Sequence, residues 1–284
     1  MKKVIKKKTS SIKKPLLVNV VKKPKENVRM HVLVIGNVLA FIAVLVVNYL
    51  AVTLPIGGMT TWALADLYPN LFTPAALTFS IWGLIYLALL WFVIWQVIDF
   101  YKRRSKEITV KFWIWFLLSC AANIGRMFAW QYQQVFLSVR IMIAFLVIVI
   151  IMGNKVKLGQ KLGKRWDKLL VQIPFSLYLG RISVAIIANI AARLVHIGWG
   201  MRGMTDIYRT KFVIIIAALL TLRQLYKKFN IIFALVVIRA VIGIIIKRVA
   251  VDPIHASSII RTLGTCIAVI TAGIGWRMEK RIKN

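Results

Sequence analysis

From Met30 to Ala65 the chain holds no Asp, Glu, Lys or Arg, and from Leu67 to Ile98 it holds none again. Each run exceeds the ~20 residues that an α-helix needs to cross a bilayer. In hydrocarbon an open strand leaves its backbone groups unpaired, so helix is the state these runs dictate. An all-α, polytopic transmembrane bundle follows. The formal charge of +32, from 40 Lys and Arg against 8 Asp and Glu, must be explained inside that reading. With 60% hydrophobic residues the chain lies above the ~45–50% of soluble domains, which excludes a disordered basic protein.

Eight apolar segments can be drawn, at about 31–55, 74–100, 112–130, 135–152, 169–197, 212–223, 229–246 and 256–276. The sixth is the shortest, and a seven-span chain without it is the alternative. Pro55 and Pro74 bracket the first loop, and Pro74 is expected to open the second span, where a missing N–H costs little. Residues 1–30 read as a basic cytosolic tail, without the apolar core and small-residue cleavage site of a removable signal peptide. Residues 277–284 read as a basic C-terminal tail.

The connectors distribute Lys and Arg unevenly. The first loop has none and the N-tail has 11. Eight spans place 28 basic residues on the side of the termini and five on the other. By the positive-inside rule this puts both termini in the cytosol of a multi-pass cell-membrane protein. The basic tails are expected to meet anionic headgroups. Nucleic acid is not expected, because no aromatics interleave the charges.

The other basic residues lie within spans: Arg126, Arg140, Arg181, Arg193, Arg223, Arg239 and Arg261. Arg223 and Arg261 are close enough to helix ends to snorkel. Each central Arg costs about 2.5–3.5 kcal/mol on insertion scales, and no acidic residue stands at mid-membrane to pair with one. Such an Arg must meet carbonyls, water, lipid phosphate or the anion of a ligand.

Three polar-aromatic stripes stand out. Phe79, Trp82 and Tyr86 are spaced to share one helical face. Asn123, Arg126 and Trp130 form a second stripe. Tyr178, Arg181, Ala185 and Asn189, with Ser183 beside them, form a third. Such stripes normally face a bundle interior, either as a hydrogen-bonded seam or as a pocket wall. No catalytic set is present: His31, His196 and His255 have no nucleophile or carboxylate at triad-like spacing. No metal-ligand spacing and no cofactor motif occurs, and Cys120 and Cys266 read as packing residues.

These stripes resemble the tryptophan-rich sensory protein family, which includes the translocator protein or peripheral-type benzodiazepine receptor. Pro69, Pro74, Phe79, Trp82 and Tyr86 stand at the places of the family's loop and second-helix pattern. Asn123 matches its third helix, with Arg126 in the place of a Trp. Tyr178, Ser183, Ala185 and Asn189 match its fifth helix, with Arg181 in the place of another Trp. Leu71 and Thr73 replace a Trp and a Pro of the loop. The match covers about residues 31–192, the family's five-helix unit. Residues 31–197 are therefore expected to form that unit, and 198–276 to add about three helices whose role the resemblance does not supply.

The resemblance implies binding of a porphyrin or another flat hydrophobic molecule, including sterol-like ones, for sensing or transport; because the sequence offers no catalytic set, no enzymatic activity is expected. A homodimer is compatible with it. The implied ligand-binding residues are Phe79, Trp82, Tyr86, Asn123, Arg126, Trp130, Tyr178, Arg181, Ala185 and Asn189. Two alternatives remain open: a secondary transporter for a small anionic metabolite, and a diverged member that has lost ligand binding.

Overall fold

The computed structural model describes residues 28–53, 56–102, 107–158, 168–197, 206–251 and 256–283. The basic N-terminal tail lies outside the described residues, apart from its last turn. Among the described residues, eight helices of spanning length follow one another: α1 (Val28–Thr53), α3 (Ile81–Tyr101), α4 (Glu107–Gln131), α5 (Val135–Lys155), α6 (Ile173–His196), α7 (Asp206–Lys228), α8 (Ile231–Val251) and α9 (Ser257–Lys283). A short helix, α2 (Thr61–Asp66), sits in the first loop. Thr60 caps it, its hydroxyl accepting from the Ala63 N–H. No strand occurs among the described residues.

Among the described residues six stretches are long and apolar enough to cross a membrane: Met30–Thr53, Ala76–Tyr101, Phe112–Gln131, Val135–Lys155, Leu169–His196 and Ser257–Lys280. The chain is a multi-pass membrane protein. Helices α7 and α8 have the length, at 23 and 21 residues, but basic residues interrupt their apolar runs. The sixth segment, expected as the short stretch 212–223, is a full helix because α7 extends past it at both ends. The expected C-terminal tail is mostly the last turns of α9.

Pro74 does not open an α-helix. A 3₁₀ turn, Ala76–Ser80, precedes α3. The cause is tertiary: the Ala75 N–H donates to the Gly243 carbonyl of α8 at 2.9 Å, which draws this stretch against α8 before α3 begins. Phe79 lies in the turn, and Trp82 and Tyr86 in the first turns of α3 that follow it without a gap. The Phe79 side chain is outside what the structure describes.

The bundle joins two groups of helices. Helices α1, α3, α4, α5 and α6 pack as one, with α4 between α1 and α5, and α6 between α3 and α5. Helices α7, α8 and α9 pack mutually, and α8 joins them to α6. Small residues make that joint. At Gly180 of α6 a Cβ would stand 2.9 Å from the Val236 Cβ of α8. At Gly243 it would stand 1.9 Å from the Thr78 Oγ1. Without a hydrophobic force between helices in lipid, such close contact is what holds them together. Large apolar residues such as Leu39, Leu84, Val147 and Leu219 stay exposed at the bundle surface, where acyl chains solvate them.

Gly243→Val is expected to lower the thermal unfolding midpoint in detergent, at a cost of about 1–3 kcal/mol. Gly264, whose Cβ position meets nothing within 4 Å, serves as the control, and Gly264→Ala should be neutral or stabilising.

Candidate functional site

The first loop and helices α3, α4, α5, α6 and α8 line a cavity of about 140 Å³. Six of the sequence-derived candidates line it: Trp82, Arg126, Trp130, Arg181, Ala185 and Asn189. Trp82 comes from the first turn of α3, Arg126 and Trp130 from one face of α4, and the others from one face of α6. The α6 stripe works as the spacing implies, because residues one and two turns apart overlie one another. Asn189 is tied to α5 through its Nδ2, which donates to the Ser138 hydroxyl at 3.0 Å.

Arg181 lies over the Trp82 ring, its Cζ 4.5 Å from the centroid, and 5.9 Å from the Tyr86 centroid. It is only 7% exposed, yet its Nε and Nη1 meet no hydrogen-bond partner among the described residues. Arg126 is 6% exposed, and its Nη2 is likewise without a partner. A cation over an aromatic face is stabilised by about 0.5–2 kcal/mol, which offsets only part of the cost of burying a guanidinium. Arg239 of α8 also lines the cavity and donates from Nη2 to the Ser80 hydroxyl at 2.6 Å. No Asp or Glu lines the cavity among the described residues.

Trp130 is held in place. Its Nε1 donates to the Thr61 carbonyl at 3.4 Å, and its ring lies 6.0 Å from that of Tyr68. Asn70 builds the loop wall: its Oδ1 accepts from the Phe72 N–H and its Nδ2 donates to the Tyr68 carbonyl. These are the local bonds by which Asn shapes turns.

The remaining candidates play other parts. Asn123 and Tyr178 are buried away from the cavity in a seam through the five-helix group. Asn48 Nδ2 donates to Asn123 Oδ1 at 3.2 Å, and Asn123 Nδ2 donates to the Tyr178 hydroxyl at 3.0 Å. For these two, one from each of two stripes, the hydrogen-bonded seam is what the structure shows. Tyr86 reaches Arg181 with its ring but does not line the cavity.

Residues from outside the three stripes complete the walls: Thr61, Thr73 and Thr78 before α3, and Val236, Arg239, Ala240 and Ile244 on α8. The α8 wall lies beyond the five-helix unit. The within-span Arg239 was its one available signal. A second cavity, of about 890 Å³, adjoins the first. The two share Ala65, Asn70, Phe72 and Thr73 as a partition. The larger space runs between α6, α7 and the end of α8, where Lys247 pairs with Asp66 at 2.7 Å. No group of His, Cys, Asp or Glu that could hold a metal occurs among the described residues.

A family model described as TSPO-like protein matches residues 33–276. The chain belongs to the TSPO-like protein family. The match runs on through α7 and α8 and into α9, so the shared pattern of this TSPO-like chain is longer than the five-helix unit. No curated protein and no solved structure matches the chain.

Because Asn123 belongs to the seam, Asn123→Leu is expected to lower stability by about 0.6–1.7 kcal/mol, the range for interhelical hydrogen bonds in membranes. Its affinity for a ligand of the cavity should stay within about twofold of the unsubstituted protein. Thermal unfolding and ligand titration in one detergent check both.

Proposed function

We propose that this TSPO-like protein binds a flat hydrophobic molecule carrying a carboxylate, of the porphyrin class, at the Arg126–Arg181 cavity. The observation that carries this reading is a trio of arginines, Arg126, Arg181 and Arg239, around one aromatic-walled cavity with no acid among its described lining residues. A carboxylate accepts the N–H groups that Arg126 and Arg181 leave unmade. Trp82 and Trp130 supply flat apolar walls. A sterol offers no such anion and fits less well.

Size limits how the ligand sits. A void of about 140 Å³ is close to the ~150 Å³ cavity that admits benzene, and below the ~300–1,000 Å³ of ordinary ligand pockets. It takes one ring with its acid group. A tetrapyrrole is one rigid disc, so its macrocycle sits in the adjoining 890 Å³ space and a flexible carboxylate arm passes Phe72 and Thr73 to the arginines. The same adjacency favours a second reading, passage of a hydrophobic anion between the two cavities. In either case binding rather than bond-breaking is the role, and the basic ends face the cytosol across the cell membrane.

Protoporphyrin is expected to quench the tryptophan fluorescence of the detergent-purified protein, and its dimethyl ester to do so more weakly. Arg181→Ala should weaken quenching by the acid about 10- to 100-fold, the equivalent of one charged hydrogen bond, and leave the ester unchanged. Equal affinity for acid and ester would overturn the reading. For the transport reading, proteoliposomes should show ligand uptake that depends on Arg126 and Arg181. Binding without uptake rejects it.

A further inference from the structure

The five central arginines divide into two groups. Three line the cavity, and the other two, Arg140 and Arg193, meet at a different place. The Cζ of Arg140 on α5 lies 4.1 Å from the Phe136 centroid, and that of Arg193 on α6 lies 5.1 Å from the same centroid. The Asn189–Ser138 hydrogen bond pins the two helices together one turn away. Among the described residues neither arginine has a carboxylate partner.

Two like charges on one ring repel, and the repulsion strengthens as the dielectric falls. The ring's attraction, about 0.5–1 kcal/mol at an exposed site, does not supply the missing negative charge. The position narrows what does. Arg140 lies five residues into α5 and Arg193 three residues before the end of α6, at the bundle end that carries the first loop. At ~1.5 Å per residue this is roughly 5–8 Å from the helix ends, the depth of the headgroup–acyl boundary. Phe136, Leu137, Ile143 and Ile190 are exposed around them. The patch therefore pairs cations with a surface that acyl chains would cover.

We propose that Arg140 and Arg193, sharing the Phe136 ring, form a site for the phosphate of a membrane phospholipid in the leaflet beside the first loop. The guanidinium groups donate to its phosphodiester oxygens, and the lipid's chains lie along Leu137, Ile143 and Ile190. Snorkelling toward the interface brings both side chains within reach without moving the helices.

The test is native mass spectrometry of the delipidated full chain with added phosphatidylglycerol, diacylglycerol or inorganic phosphate. Phosphatidylglycerol is expected to bind at least about tenfold more tightly than diacylglycerol, the equivalent of one charge-assisted contact. The double variant Arg140→Gln/Arg193→Gln should lose that preference, and Arg140→Lys/Arg193→Lys should keep part of it. Neither should alter protoporphyrin quenching, since neither residue lines the cavity. Equal binding of phosphatidylglycerol and diacylglycerol by the unsubstituted protein overturns the proposal without any variant. A preference that survives the double Gln variant also overturns it. Inorganic phosphate competing at the lipid's own concentration would assign the site to a free anion and reject the lipid.

Discussion

A guanidinium within a membrane span must end against something that answers its charge, and this bundle holds three such groups in its interior and two near the interface, with no acid beside them among the described residues. An unpaired charge in a low-dielectric medium is the most costly feature a membrane helix can carry. The structure relieves it in two ways. Arg126 and Arg181 turn inward, where Trp82 and Tyr86 offer aromatic faces and a cavity leaves room for an anion. Arg140 and Arg193 turn outward onto Phe136, near the interface. Arg239 stands between these solutions, at the cavity wall and bonded to Ser80. Where each arginine points thus decides which lie inside the bundle and which near its surface.

The second determinant is the approach of α8 to the five-helix group. Gly180 and Gly243 remove the side chains that would hold α8 off, and the Ala75–Gly243 hydrogen bond locks the 3₁₀ turn against it. With α8 seated, Val236, Arg239, Ala240 and Ile244 close the wall that α3, α4 and α6 leave open. The C-terminal helices therefore do more than extend the bundle: they complete its cavity. This agrees with a TSPO-like pattern that runs to residue 276.

Much of this was legible in the sequence. Charge-free runs specify helices because lipid offers no other backbone partner, and the eight segments recur as eight long helices. The α6 stripe of Arg181, Ala185 and Asn189 was readable because helical spacing survives packing. The Phe79–Trp82–Tyr86 stripe was legible in part: Trp82 and Tyr86 lie on α3 and both approach Arg181, while Phe79 falls in the 3₁₀ turn that runs into the helix. Asn123 and Tyr178 looked like pocket residues because a polar group facing inward has the same spacing whether it meets a ligand or another side chain. Only the positions of Asn48 and the other helices show that they bond one another.

By itself the sequence determined that this is a helical membrane protein whose spans carry several arginines with no acidic residue near them in the chain. Those are properties of composition along the chain, and lipid and charge act on them locally. The tertiary structure decided which arginines share a cavity, that α8 supplies its fourth wall, and that Arg140 and Arg193 meet on one ring. Those facts depend on residues far apart in sequence coming within a few ångströms, which the packing of small residues between helices controls and no local pattern encodes.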